Sequence, residues 1–335
     1  MLKGHGDDMY KYPNGIIVNF SSNVYNHFNQ KPLLQYLANR LDNITSYPEP
    51  TPTTTESHLA TWLNLKPEEV CVTNGATEAI YLIAQALRES RTAILQPTFS
   101  EYADACHMHA HKTVSIYRLE DIPTDADDVW ICNPNNPTGA AFDETLANEL
   151  CQRAPLFIMD HSYAPFTLQK LLTPRESTDK GNILTLHSMT KEFAIPGIRL
   201  GYVTGHADLI KHVRNQRMPW SVNQIAILAA DYLLTHADDY LIPLTTLLEE
   251  RKRVADEFKK TGCIEVWPSD SHMLLCRLRI GRAAALKDYL ATEHGLLIRD
   301  ASNFTGLSDN FFRIAVQTAH ENNLLINAIK KWFEI

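Results

Sequence analysis

The chain has 335 residues, of which 44% are hydrophobic and 21% charged, and its formal net charge is −8. That length and balance suit a soluble globular protein of two domains, or one large domain with a smaller companion. An acidic surface excludes a general binder of nucleic acid or anionic membrane, yet leaves room for a small anionic substrate held by a local cationic cluster.

From the N-terminus, a polar arm leads into a short apolar run, GIIVNFSSN, and then a helix-periodic stretch, KPLLQYLANRLDN. The prolines of SYPEPTPTTTESHLATWLNL break regular structure before helical periodicity resumes. EEVCVTNG reads as strand and turn, and ATEAIYLIAQALRES as a helix. TAILQPTFSEY, DVWICNPNNPTG, LFIMDHSY and ILTLHSMTK are each short apolar runs that end in polar loops. Runs of that kind, rich in Val, Ile and Leu, predict buried parallel strands. Ligands bind in the crevice beyond the C-terminal ends of such strands.

Beyond about residue 220 the pattern changes. One long helical region, SVNQIAILAADYLLTHADDYLIPLTTLLEERKRVADEFKKTG, precedes CIEVWPSDSHMLLCRL, a further helix, GLLIRDASNFTG, NFFRIAV and a closing helix, HENNLLINAIKKWFEI. The expected organisation is α/β, with an N-terminal arm over 1–35 and a large domain over 36–220 built on a mainly parallel sheet flanked by helices. A smaller α+β domain follows over 221–335. No flexible Gly/Ser linker separates the two, so close docking is expected, and there is no internal repeat.

The six cysteines, Cys71, Cys106, Cys132, Cys151, Cys263 and Cys276, show no CxxC or other ligand spacing. They read as structural thiols, and no metal site is expected. MLKGHGDDMYKYPNG has no apolar core of signal-peptide length, and no apolar run reaches membrane-spanning length. A reducing cytoplasm is the expected location.

The loops after the apolar runs supply a coherent set of polar groups. TNGATEAI puts Gly75, Ala76 and Thr77 where a strand turns into a helix, whose free N–H groups suit an anion. NPNNPTG carries Asn135 and Asn136 as donors, although alone it is also an ordinary Asn-Pro loop. FIMDHSY ends an apolar run on Asp160, a carboxylate that needs a cation or strong donors there. HSMTKEFAIPGIRLGY carries Lys191 behind Ser188 and Thr190 and ahead of Arg199, and alone it could be a solvated basic turn. One ligand uses all of these groups together. An aromatic aldehyde with a phosphate needs an amine to bind it covalently, hydroxyls and an arginine for the phosphate, a carboxylate for its ring nitrogen and a donor for its phenolic oxygen. That ligand is pyridoxal 5′-phosphate (PLP), with Lys191 as the amine.

The order NGATE, NPNNPTG, DHSY, SMTKEFAIPGIRLGY, FFRIAV resembles the class I/II aminotransferase-like enzymes of PLP fold type I, over essentially the whole chain. The resemblance implies Lys191 as the covalent anchor, Asp160 as partner of the pyridine nitrogen, and Asn136 and Tyr163 at the phenolic oxygen. Ser188, Thr190 and Arg199 with the Gly75–Ala76–Thr77 loop match the phosphate cup. Tyr102 falls where the family stacks an aromatic ring on the cofactor. Tyr47 matches the tyrosine that reaches the neighbouring subunit's cofactor, which implies a homodimer with shared sites. Arg313 matches the arginine that takes the substrate carboxylate in many members. His161 departs from the acidic residue usual after the aspartate.

Within the family the compact chain resembles the histidinol-phosphate aminotransferase group, and inside it the threonine-phosphate decarboxylase subgroup of cobalamin synthesis. HGDDMY is similar to that subgroup's HGG opening, VNFSSN to its DFSxN, QRMPWSVN to its MPWSVN, and LLIRDASNFTGLSDNFFRIAVQT to its IRxxxNYxGL…YYRVAIR ending. Asp7 stands in place of the second glycine and Gln317 in place of a usual arginine. Arg299 and Arg313 supply two forks for phosphate or carboxylate. Asn23, His5 and Trp220 are candidates for adjusting the substrate's tilt; a turn cap, a frayed arm and core packing are their respective plain alternatives. The resemblance therefore implies decarboxylation of O-phospho-L-threonine, with an aminotransferase acting on histidinol phosphate and 2-oxoglutarate as the other outcome. A non-catalytic PLP-binding regulator is more remote, since no DNA-binding domain is attached.

Overall fold

The protein is described by a computed structural model covering residues 6–334. His5, a candidate substrate contact, lies outside the described residues. The arm holds a two-residue strand, β1 (Val18–Asn19). A central sheet follows, made of β2 (Val70–Thr73), β3 (Arg91–Leu95), β4 (Lys112–Ile116), β5 (Asp128–Cys132), β6 (Leu156–Asp160), β7 (Ile183–Ser188) and β8 (Gly201–Gly205). The C-terminal part supplies β9 (Ile264–Val266), β10 (Met273–Leu278), β11 (Leu296–Leu297), β12 (Arg299–Asp300) and β13 (Phe311–Ala315).

The central strands lie in the order β2-β8-β7-β6-β5-β3-β4. β8 runs antiparallel to both neighbours, and every other pairing in this sheet is parallel. Thus β2, β3, β5, β6 and β7 all deliver the chain to one edge of the sheet, where their following loops converge. β5, β6 and β7 are buried along their whole length, as expected of strands covered on both faces. The mainly parallel α/β architecture is as the apolar runs predict. β4 and β8 are strands the apolar-run reading left unmarked. β4 is an edge strand with an exposed, polar start, and β8 begins and ends in glycine, which reads as turn.

The second sheet is antiparallel, in the order β12-β13-β10-β9, and β1 pairs in parallel with β11 beside it. Backbone bonds from Phe20 N to Leu297 O (2.8 Å) and from Ala315 N to Phe20 O (2.8 Å) fix the arm against this sheet. The segment Ser21–Val24 is thereby carried over the edge where the central loops converge. The long helical region resolves into two helices, Gln224–Thr235 and Leu244–Lys260, with a short 3₁₀ turn, Ala237–Tyr240, between them. Pro243 explains the break, because it lacks an N–H and disfavours helical geometry at Ile242. The six cysteines are free thiols, all buried except the half-buried Cys263. Among the described residues, no helix is long and apolar enough to cross a membrane.

Candidate active site

A cavity of about 390 Å³ opens where the loops after the parallel strands meet the arm and the second sheet. β7 ends at Ser188 and turns into the short helix Met189–Glu192, which carries Lys191 into this space. The Lys191 amine, Nζ, donates to the carbonyl of Ser22 at 2.6 Å. Burial lowers its pKa to about 8, with the Arg313 charge acting in the same direction. An amine so placed is neutral in an appreciable fraction of molecules near pH 8, and the neutral form is the nucleophile.

Asp160, at the end of β6, accepts from the hydroxyl of Tyr102 at 2.6 Å and from the backbone N–H of Ser162 at 2.8 Å. Burial raises its pKa, and those two donors oppose the rise. A carboxylate kept in a dry wall and only partly compensated gains from a nearby cation such as a protonated pyridine nitrogen. Tyr102 lines the cavity, 1% exposed, and its hydroxyl is committed to Asp160.

Asn136 follows β5, and its side-chain oxygen accepts from Nη1 of Arg313. That contact orients the amide so that its NH₂ is left to donate elsewhere. Tyr163 receives a hydrogen bond from Asn23 Nδ2 at 3.1 Å, and burial pushes its phenol up to about 12. Asn136, Tyr163 and Asn23 therefore meet in one wall, two of them donors to a phenolate oxygen in chemical type.

The anion-binding corner is built by β2, β7 and β8 together. β2 passes into the helix Gly75–Ala86 with Gly75 at φ +77°, and Ala76 and Thr77 line the cavity at that helix's N-terminus. A Cβ on Gly75 would lie 2.6 Å from Nη2 of Arg199. A Cβ on Gly201, in the reversed strand, would lie 2.5 Å from the backbone nitrogen of Ala76. The positive φ demands glycine at 75, and the approach of strand to helix-start backbone demands it at 201. Ser188 and Thr190 complete the corner, and the buried Thr190 hydroxyl has no hydrogen-bond partner. A helix N-terminus, two hydroxyls and a guanidinium suit a phosphate, and the unpartnered Thr190 oxygen fits a missing ligand atom. The residues present fit PLP.

Opposite this corner, Arg299 on β12 and Arg313 on β13 are directly paired across the antiparallel ladder. Residues directly opposite on an antiparallel ladder share one face of the sheet, so the two guanidinium groups stand on the same side. Arg313 donates through Nη2 to the Ser21 carbonyl at 2.6 Å, and Arg299 to Asn303 Oδ1 at 2.7 Å. Burial lowers the pKa of both, but a guanidinium remains charged at neutral pH.

Not every candidate enters the cavity. Tyr47 is 85% exposed and its ring lies 5.3 Å from that of Trp220, itself half exposed and held at φ +60°. Neither lines the cavity of this chain. The contacts of Ser21 and Ser22 escaped sequence reading because both act through backbone carbonyls, which side-chain identity does not reveal. Among the described residues, no group of three or more His, Cys, Asp or Glu side chains is placed to hold a metal ion.

A central sheet with one reversed strand, opening onto an amine, a buried carboxylate and a phosphate corner, defines a PLP enzyme of fold type I. The chain belongs to the aminotransferase class I and II family, whose model matches residues 15–331, and its cofactor is PLP. The L-threonine-O-3-phosphate decarboxylase structure from Porphyromonas gingivalis superposes with a TM-score of 0.92 and 35% identity, covering 95% of this chain and all of that one. The threonine-phosphate decarboxylase of Salmonella typhimurium is 28% identical, over 94% of this chain and 90% of its own length. The histidinol-phosphate aminotransferase of Caldanaerobacter subterraneus is 27% identical, over 86% of this chain and 85% of its own.

Proposed function

We propose that this protein is a PLP-dependent lyase that removes the carboxylate of O-phospho-L-threonine, yielding (R)-1-amino-2-propanol O-2-phosphate for the nucleotide loop of cobalamin. The observation that carries this reading is the opposed pair Arg299 and Arg313 in the cavity that holds Lys191. A substrate with a phosphate and a carboxylate presents two anionic groups to two guanidinium forks on one face of the sheet, and the likeness to threonine-phosphate decarboxylases supports that choice.

In this reading Lys191 holds the cofactor, Asp160 keeps its ring nitrogen protonated, and Asn136 and Tyr163 face its phenolic oxygen. Tyr102 buttresses Asp160 beside the ring. Gly75, Ala76, Thr77, Ser188, Thr190 and Arg199 hold its phosphate. Tyr47 serves the site of a second copy, so the working form is a homodimer. When bound, PLP supplies the sink for the electron pair left by a broken Cα bond. Arg299 and Arg313 decide which bond breaks, by fixing two anionic groups and so setting the substrate's rotation at Cα; Asn23 trims that rotation. Once CO₂ has left, Lys191 returns a proton to Cα. No acceptor keto acid is then required.

The match to a histidinol-phosphate aminotransferase at almost the same identity favours a second reading, amino-group exchange with 2-oxoglutarate. One assay separates the two. Holoenzyme given O-phospho-L-threonine alone should release CO₂; glutamate formed only when histidinol phosphate and 2-oxoglutarate are both present would reverse the assignment.

A further inference from the structure

A second cavity, of about 410 Å³, adjoins the first, and Asp7, Ser22 and Pro196 line both. The two have opposite character. The cofactor cavity is lined by Lys191, Arg199, Arg299 and Arg313, whereas among the described residues no lysine or arginine lines the second. The imidazole of His27 there is already paired with Glu321 at 2.9 Å.

What the second cavity offers is acceptors. Gln317 is 2% exposed, and its Nε2 donates to the Val24 carbonyl at 3.0 Å, which turns its Oε1 away from that carbonyl. That oxygen is buried without a partner, as is the hydroxyl of Ser22. Buried acceptors left unpaired cost about 1–3 kcal/mol each, so they call for a donor. Asp7 stands at the junction at φ +63°, its carboxylate accepting from Asn19 and its N–H donating to Ser21 Oγ at 3.2 Å. Aspartate is among the few non-glycine residues that enter that region readily, so the turn holds its carboxylate at the junction without a glycine.

We propose that this second cavity is a docking subsite for the primary ammonium group of the incoming amino acid, with Asp7 as its counter-ion and the Gln317 and Ser22 oxygens as further acceptors. The inference rests on the reading of this chain as an enzyme acting on a phosphorylated amino acid. An ammonium carries three donors and no acceptor, which matches the lining in both charge and hydrogen-bonding sense. The anionic groups of the same molecule are drawn the other way, to Arg299 and Arg313. The shared wall is also where Ser22 O holds the Lys191 amine, so the ammonium is delivered at the point of exchange.

Asp7→Asn tests this cleanly, because asparagine keeps the acceptor for Asn19 and tolerates positive φ while losing the charge. On the holoenzyme, loss of a charge-assisted bond should raise KM for O-phospho-L-threonine about tenfold, with most of the change in KM rather than kcat. Gln317→Leu should raise it about threefold. If Asp7 merely sits near the substrate's phosphate, removing its charge will lower KM; an unchanged or lowered KM overturns the proposal. Methylammonium, given to holoenzyme whose imine with Lys191 has been reduced by borohydride so that no exchange can occur, keeps all three donors and separates this from a failure of the function itself. Calorimetry should show it binding the wild-type holoenzyme about tenfold more tightly than Asp7→Asn, whatever amino acid is turned over. Equal binding, or none to either, overturns the subsite.

Discussion

On the sheet side of the cavity, Asn136, Asp160, Ser188 and Lys191 follow the ends of adjacent strands and inherit their positions from a buried ladder. On the arm side, Asp7, Ser22 and Asn23 hang from a two-residue strand, and two of them sit at positive φ. Every group proposed to hold PLP within this chain lies on or beside the sheet edge. The groups that depart from the subgroup's pattern, Asp7 and Gln317, lie by the arm. In the proposed reading the cofactor is held by the sheet edge, and the residues that set this chain apart from the subgroup lie on or against the arm.

The sharpest way to break that comparison is Lys191→Ala. It should abolish the long-wavelength absorbance of covalently bound PLP and cut turnover by about 10³-fold or more; a surviving band would move the anchor elsewhere. Asp160→Asn comes next, with kcat down about 10²–10³-fold and the fold intact by circular dichroism. Arg313→Lys should act on the other wall, raising substrate KM about 10–100-fold by losing the fork geometry, with the PLP spectrum retained. Loss of PLP in that variant would mean the two walls are not separable. Gly75→Ala forces a strained φ and a clash with Arg199, costing about 1–3 kcal/mol. Its expected readout is a PLP affinity weakened about tenfold, measured by titrating the apoprotein.

The smallest effect is one of pH. With the Lys191 pKa lowered to about 8, the neutral amine is the minority form below that pH and the majority above it. The rate of PLP attachment to the apoprotein should therefore climb about tenfold between pH 7 and 9 and then level off. A rate still climbing steeply to pH 10 would mean an ordinary lysine.

Much of the sheet side was legible in the sequence, since a short apolar run ending in a polar loop is a local pattern. Asp160, Asn136 and Lys191 each close or follow such a run. β8 was not legible, because a strand of glycine, tyrosine, valine, threonine and glycine reads as turn until its contact with the Gly75–Ala76 backbone is known. The pairing of Arg299 with Arg313 is a register between strands separated by a loop, which spacing alone does not fix. Ser22 entered only through its carbonyl, and the exposed pair Tyr47 and Trp220 acquires meaning only if a second chain covers it. Local chemistry was readable; what depends on tertiary register or on backbone atoms was not.

Arg313 spends one N–H on Asn136 and one on the Ser21 carbonyl, while its Nε has no partner. Three of the five guanidinium hydrogens thus remain for a ligand, enough for a two-pronged grip on one carboxylate. In the proposed function the same ion braces Asn136, ties down the arm through Ser21 and takes an anionic group of the substrate. In that reading it is a keystone whose third load arrives only with the ligand.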